Sequence, residues 1–359
     1  MAHRLFPIAI LEVGLALLAA PIRANPQSDL LLGAGRDQYL QGNYEEAAVT
    51  LVKATQADSS DAQAFFTLGL TYRHLDRMDR AIEAFRKAVT ADSTYTRAFA
   101  AMGDAYVLIH QLDQARTSYQ RAIETDSTFA EGAEKLGAVH YKLALEAHKK
   151  GNFKKAVSHY ETAAQLDTKN AKALFGIGGA YRKLGQPDRA IRAYEEALAR
   201  DPGYVKDYLA LGSVFVAKGE YDRAERTYRQ AAGIDPAAAR AFTKLGVVLV
   251  REQRYDQAIP LLLEAIAADP SDSQAHYQLA EAYKSSGRTD QAILSAQECL
   301  KNDPKNIPAK GIIAECYELL GKTQEALAAY EAIRDAARDR TWQEYARQKI
   351  QMLSGTSSP

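Results

Sequence analysis

The feature that most constrains this chain is a repeat of 34 residues that runs through nearly all of it. Aspartates before a turn mark it, at Asp58, Asp92, Asp126, Asp167, Asp201, Asp235, Asp269 and Asp303. Successive aspartates are 34 residues apart, except for one interval of 41. An alanine column from Ala47 to Ala326 has the same spacing and the same exception. The 359 residues therefore form one repeat array rather than two or three globular domains.

Each repeat has the pattern of two short helices joined by a turn. In residues 171–204, apolar residues recur at helical spacing on both sides of Gly185, which predicts an apolar face on each helix. Pro187 fits the first turn of the second helix, where its missing N–H is harmless. Asp201 precedes Pro202, which drives it out of helical geometry and ends the repeat.

The repeat resembles the tetratricopeptide repeat, a helix–turn–helix of 34 residues. The small residue that this family places where the two helices cross is matched by Gly35, Gly69, Gly103, Gly137, Gly178, Gly212, Gly246, Ala280 and Ala314. The resemblance covers residues 28–340. It implies an all-α fold, an α-solenoid of nine helix-turn-helix repeats wound into a right-handed superhelix.

Two segments depart from the regular repeat. Seven extra residues lie in the fourth repeat, between Val139 and Gly151, and they add nearly two turns to its first helix. This insertion is either a tolerated lengthening or a docking knob for a partner or a second copy. Residues 341–354 should form a capping helix in which Trp342 covers the last repeat or, alternatively, stacks on a ligand. Residues 355–359 should be a flexible tail.

The first residues have the pattern of an export signal. Arg4 precedes an apolar run from Val13 to Ala20, and Ala24 offers a small residue for cleavage. We therefore expect a signal peptide over residues 1–24 and a periplasmic or secreted protein, with no membrane insertion after cleavage. The alternatives are an uncleaved N-terminal membrane anchor and a cytoplasmic start.

Composition and motifs argue against catalysis. Basic and acidic residues number 45 each, so the chain has no overall attraction for nucleic acid. Phosphate-binding, nucleophile and dinucleotide motifs are absent, and His140, His148 and His159 lack the spacing of a metal site. We expect no enzymatic activity, no cofactor and no metal. Cys299 and Cys316 are either packed like alanine or joined in a disulfide.

The resemblance implies that first helices line a concave groove in which ligands bind as extended segments. The candidate groove residues are Phe66, Arg73, His74, Lys172, Phe175, Arg182, Lys183, Lys206, Leu209, Arg240 and Arg251. In the fifth to seventh repeats, six of fifteen projected residues are basic and none is acidic. This bias fits an acidic peptide or an anionic polymer, and it also fits an ordinary solvated face.

We therefore expect a non-enzymatic scaffold for protein–protein interaction, which binds a protein or peptide segment in this groove. The asparagines that chaperone-clamping and sugar-transferase members of the family carry on the same face are absent. The alternative is an envelope factor that binds an anionic polysaccharide or serves as an accessory subunit of an export or assembly machine.

Overall fold

The computed structural model describes residues 25–168 and 170–355, and these residues form nineteen α-helices with no β-strand among them. The first ten are α1 (Pro26–Leu40), α2 (Tyr44–Ala57), α3 (Ala62–His74), α4 (Met78–Ala91), α5 (Thr96–Leu108), α6 (Leu112–Thr125), α7 (Ala130–Lys149), α8 (Phe153–Leu166), α9 (Ala171–Lys183) and α10 (Pro187–Arg200). The others are α11 (Val205–Lys218), α12 (Tyr221–Ile234), α13 (Ala241–Arg251), α14 (Tyr255–Ala268), α15 (Ser273–Ser285), α16 (Thr289–Asn302), α17 (Ile307–Leu319), α18 (Thr323–Ala336) and α19 (Arg340–Leu353).

The helices form nine hairpins and one terminal helix, so the predicted all-helical repeat fold is confirmed. Odd-numbered helices up to α17 are the first helices of the repeats, and even-numbered helices are the second. The chain divides into an N-terminal unit that ends at Ala180 and a C-terminal unit that begins at Tyr181. The predicted signal peptide, residues 1–24, lies outside the described residues.

The aspartate column marks the end of each second helix for a hydrogen-bonding reason. In seven repeats the side chain of this aspartate accepts a hydrogen bond from the backbone N–H two residues later, at 2.8–3.2 Å. Such a bond favours a turn over continued helix. The turn inside each hairpin has one residue in the left-handed region. Glycine supplies it in six hairpins, and Asp76, His110 and Gln253 supply it in the other three.

The glycine column lies where the two helices of a hairpin cross. Five glycines each face a large side chain sixteen residues later: Gly35 and Leu51, Gly69 and Phe85, Gly103 and Tyr119, Gly212 and Tyr228, Gly246 and Leu262. A Cβ on any of these glycines would overlap that side chain. The large residue therefore fills the space that the missing side chain leaves, and the core of each hairpin depends on the pair.

A matched pair of glycine substitutions tests this packing. Gly33→Ala should raise the free energy of unfolding by up to about 1 kcal/mol, because its Cβ meets no atom and alanine favours helix. Gly69→Ala brings the same helix propensity, yet it should lower the free energy of unfolding by about 1–3 kcal/mol, because the Phe85 ring is fully buried and has no room to move. Thermal denaturation compares the two. Equal effects would contradict the packing role.

In the fourth repeat the predicted lengthening of the first helix is confirmed, but the predicted position of Gly137 at the helix crossing is wrong. Its first helix α7 runs on for 20 residues, as the inserted seven residues predict. The second helix α8 then pairs with the later turns of α7, so Gly137 faces Ala163 and Leu166 and is not at the crossing. Ala144, which is fully buried and sixteen residues before Tyr160, takes the place that Gly137 has by sequence alignment. The insertion therefore shifts the hairpin along its own first helix.

The two cysteines, one internal proline and the C-terminal helix each have a defined place in the fold. Cys299 and Cys316 are both buried and free, so each packs as a small apolar side chain. Pro260 lies inside α14 without ending it. The capping helix α19 packs on the last hairpin through Trp342, Tyr345, Ile350 and Leu353. None of the described helices has both the length and the hydropathy needed to cross a membrane.

Candidate partner-binding surface

In α3 of the N-terminal unit, the side chains of the predicted groove residues already contact other residues of the chain. Phe66 is 7% exposed and packs against the rings of Phe85 and Tyr95, so little of it could reach a ligand. His74 is exposed but stacks on Tyr44, with ring centroids 4.6 Å apart. Burial first, and then the Arg73 charge, hold the pKa of His74 below its usual value.

Most of the remaining predicted residues do reach solvent. Arg182, Lys183, Lys206 and Arg251 are exposed in the C-terminal unit, where Leu209 is half-buried. In the N-terminal unit, on α9, Lys172 is exposed and Phe175 is half-buried.

Arg240 departs from the sequence expectation. It ends a 3-10 helix, Pro236–Arg240, instead of lying on an α-helix, because Pro236 opens a short turn just before α13. Its Nε lies 3.3 Å from a carboxylate oxygen of Asp269, so its charge is already paired. Arg240 therefore does not belong to the set of cations that an external ligand could use.

Charged residues on the first helices of the N-terminal unit are linked at a spacing of 31 residues. The Asp104 carboxylate on α5 lies 3.8 Å from Arg73 of α3 and 2.9 Å from Lys135 of α7. The hydroxyl of Tyr119, on the second helix of the same hairpin, donates to Asp104 at 2.5 Å. Three successive first helices are thus connected through one carboxylate.

In the last repeats of the C-terminal unit, ion pairs also join residues that are 31 positions apart. Lys284 of α15 donates to Glu315 of α17 at 2.7 Å, and Lys349 of α19 donates to Glu318 at 2.9 Å. Burial alone would lower the pKa of Lys284, but Glu315 and then Glu281 outweigh it and raise that pKa above its usual value. Lys284 and Lys349 are therefore paired with carboxylates of the chain itself.

The first helices α9, α11 and α13 carry six exposed cations in the C-terminal unit. Lys218 pairs with Asp188 and Glu220, each at 2.7 Å, whereas the other five form no ion pair within the described part of the chain: Arg182, Lys183, Lys206, Lys244 and Arg251. We call these five residues the cationic surface. Lys244 was not among the predicted residues. The 31-residue spacing of charges would have found it, since it shows which cations lack a partner carboxylate.

The chemistry available on this surface is binding by charge. Its basic groups are lysine and arginine side chains, which attract anions and donate hydrogen bonds. Within residues 25–168 and 170–355, no three or more histidine, cysteine, aspartate or glutamate side chains come together as metal ligands would. The surface is suited to holding an acidic group in place.

Comparisons with known families agree with the repeat pattern. Residues 124–352 match the C-terminal domain of cilia and flagella-associated protein 70, a domain of tetratricopeptide repeats. Residues 12–96 and 103–143 match two further tetratricopeptide repeat families. No curated protein matches the chain.

Solved structures of repeat proteins are similar over long stretches at low identity. The C-terminal part of a repeat protein from Cytophaga hutchinsonii is 18% identical, with 78% of this chain and 98% of that chain covered and a TM-score of 0.43. MamA from Desulfovibrio magneticus RS-1 is 21% identical, covering 53% and 98%, with a TM-score of 0.39. Yeast Tom70 is 14% identical, covering 91% and 95%, with a TM-score of 0.38.

The family assignment depends on the sequence matches and on the helix pattern. One match alone, over residues 124–352, spans more than half of the chain. The hairpins, the glycine column and the turn aspartates recur in the same register across the described residues. The chain belongs to the tetratricopeptide repeat family.

Proposed function

We propose that the protein is an interaction scaffold that binds an acidic segment of a partner protein on the cationic surface of α9, α11 and α13. The observation that carries this proposal is the contrast in charge pairing. On the first helices of the end regions and on the terminal helix, four cations have a carboxylate partner 31 residues away: Arg73, Lys135, Lys284 and Lys349. The five cations of the cationic surface form no ion pair among the described residues. An acidic partner would supply the missing negative charge.

Several cations are needed because each exposed pair contributes little. A single exposed ion pair is worth about 0–1 kcal/mol, so one lysine alone would hold nothing. Five cations of the C-terminal unit raise the local potential together, and the attraction should weaken as salt rises. Half-buried Leu209 and Val216, on α11, offer apolar contact to the same ligand.

A double charge reversal tests the surface. Lys206→Glu with Arg251→Glu should weaken binding of poly-L-glutamate at least about tenfold at low salt, because two attractive charges become repulsive. The melting temperature should not change, since both side chains are exposed and unpaired. The matched control is Lys53→Glu with Lys305→Glu, which makes the same charge change at two exposed lysines elsewhere. Titration calorimetry measures both variants.

Two outcomes would count against the proposal. If the control variant loses as much affinity as the test variant, net charge and not the cationic surface attracts the polymer. If the protein prefers dextran sulfate to poly-L-glutamate, the anionic polysaccharide alternative is favoured. The export signal at residues 1–24 stays a prediction, which N-terminal sequencing of the protein from its own host would decide.

A further inference from the structure

Four residues of the N-terminal unit form one charge-linked group. Arg73, Asp104 and Lys135 lie on successive first helices, and Tyr119 lies on the second helix α6. The Asp104 carboxylate is the centre of the group. It accepts from Lys135 at 2.9 Å and from the Tyr119 hydroxyl at 2.5 Å, and it lies 3.8 Å from Arg73.

The C-terminal unit has residues aligned with all four members of this group, but the central carboxylate is absent from them. The residues 109 positions further along are Arg182, Ser213, Lys244 and Tyr228. The arginine, the lysine and the tyrosine are all retained, and only the aspartate is replaced, by Ser213. The interval of 109 residues equals three repeats plus the seven-residue insertion, so the two sets of four residues are aligned in sequence, and Lys135 lies on the part of α7 that precedes the insertion.

The surroundings of Ser213 resemble those of Asp104. A Cβ on Gly212 would overlap the Tyr228 ring, just as one on Gly103 would overlap the Tyr119 ring. Each tyrosine ring therefore packs beneath the residue just before the central position. The Ser213 hydroxyl donates to the backbone carbonyl of Ala210 in its own helix, at 2.6 Å. It therefore does not replace the acceptor that the Asp104 carboxylate provides in the N-terminal unit.

The donors around Ser213 lack an acceptor that carries charge. The Arg182 guanidinium donates to the Tyr194 hydroxyl, which is a neutral acceptor. Lys244 is exposed, and within the described residues it has neither an ion pair nor a hydrogen bond to another side chain. The hydroxyl of Tyr228 also finds no partner among them, although the Tyr119 hydroxyl has one.

We propose that Arg182, Lys244 and Tyr228 form a pocket at Ser213 that binds one carboxylate of an acidic partner segment. The bound carboxylate would replace the one that Asp104 supplies in the N-terminal unit. The inference rests on the proposed function for its partner, but the pocket can be tested without one. An aspartate or glutamate side chain and a chain terminus both provide this chemistry.

The first test puts the carboxylate into the chain. Ser213→Asp should raise the melting temperature by about 2–4 °C, because the new carboxylate gains Arg182, Lys244 and Tyr228, the counterparts of the three groups around Asp104. Gln230→Asp, which adds the same charge at an exposed site on α12, is the matched control and should not raise it. The reverse variant Asp104→Ser should lower the melting temperature, because it leaves the Arg73 charge uncompensated and Lys135 paired with Glu131 alone.

The second test shows whether the three donors act together. In a Tyr228→Phe or a Lys244→Gln background, Ser213→Asp should lose much of its gain, whereas each single background change should leave the melting temperature nearly unaltered. A gain from Ser213→Asp that is the same in all three backgrounds would overturn the pocket. So would a gain no larger than that of Gln230→Asp.

The third test uses an external ligand. Ser213→Asp should weaken binding of a glutamate-rich peptide at least about tenfold, because the inserted carboxylate occupies the pocket. Comparing the peptide with a free or an amidated terminus distinguishes a terminal carboxylate from a side-chain one. If the Lys206→Glu and Arg251→Glu variant loses binding but Ser213→Asp does not, the pocket is wrong and the cationic surface stands. If Ser213→Asp raises the melting temperature but no acidic peptide binds, the pocket stands and the proposed function is wrong.

Discussion

Replacing Asp207 by alanine should raise the free energy of unfolding by about 3–4 kcal/mol above pH ~8. The Asp207 side chain is fully buried in α11, and neither of its carboxylate oxygens has a hydrogen-bond partner among the residues that the structure describes. Alanine or glycine holds the same position in seven other repeats, at Ala64, Ala98, Gly132, Ala173, Ala241, Ala275 and Ala309. Alanine therefore fits this site without strain, and it removes an uncompensated charge.

The size of the effect depends on pH in a defined direction. Burial, and then the nearby Asp201 charge, raise the pKa of Asp207 from 3.8 to about 7. The folded chain therefore keeps a proton that the unfolded chain has already lost. Stability falls as pH rises from about 4 to about 7 and then levels off, and a shift of about three units is worth about 4 kcal/mol.

Two variants and one comparison check this assignment. The stability difference between Asp207→Ala and the parent should grow between about pH 4 and pH 7, because other titrating groups cancel in the difference. Above pH ~7, the free energy of unfolding of Asp207→Asn should lie between those of the parent and of Asp207→Ala. Asparagine removes the charge but leaves a buried polar group unpaired. A difference that stays constant across this range would refute the buried charge. Chemical denaturation at several pH values provides the data.

Much of this fold can be predicted from the sequence because the repeat makes each signal recur. Eight turn aspartates, seven column glycines and the helix-period apolar residues all indicate the same unit, so a departure in one repeat does not obscure the pattern. The same averaging hides exceptions. Asp207 lies in a column of alanine and glycine, but an aspartate next to Lys206 is read from sequence as an exposed residue, although its side chain is buried.

The candidate site could be predicted less well than the fold. Sequence projection places residues on the first helices, but it does not show which charges are already paired. Arg73 and Arg240 are cations in sequence and are partly neutralised in the structure by Asp104 and Asp269. Ser213 gave no functional signal by itself. Its candidate role becomes evident only from the structure around Asp104, the residue aligned with it, which contacts Arg73, Tyr119 and Lys135.

Removing the capping helix should have an even larger effect on the last repeat. Truncation after Arg338 deletes α19 and uncovers the apolar cluster of Ala314, Ala326, Tyr330 and Ile333, which are fully buried in the intact chain. It also removes Lys349, the ion-pair partner of Glu318. Because repeat arrays are stabilised by neighbouring interfaces, we expect an apparent melting temperature about 10 °C lower, or aggregation.

Point variants separate the apolar cover from the loss of chain length. Trp342→Ala should reproduce part of the loss, about 2–4 kcal/mol, because the indole lies over Gly311 and edge-on to Tyr345, with ring centroids 5.7 Å apart. Met352→Ala changes a side chain that is 64% exposed on the same helix and should leave the melting temperature unaltered. A monodisperse truncation product with the parental melting temperature would refute the capping role. If instead Trp342→Ala is silent while truncation destabilises, the helix acts through its ion pairs, and the apolar cover is not what closes the array.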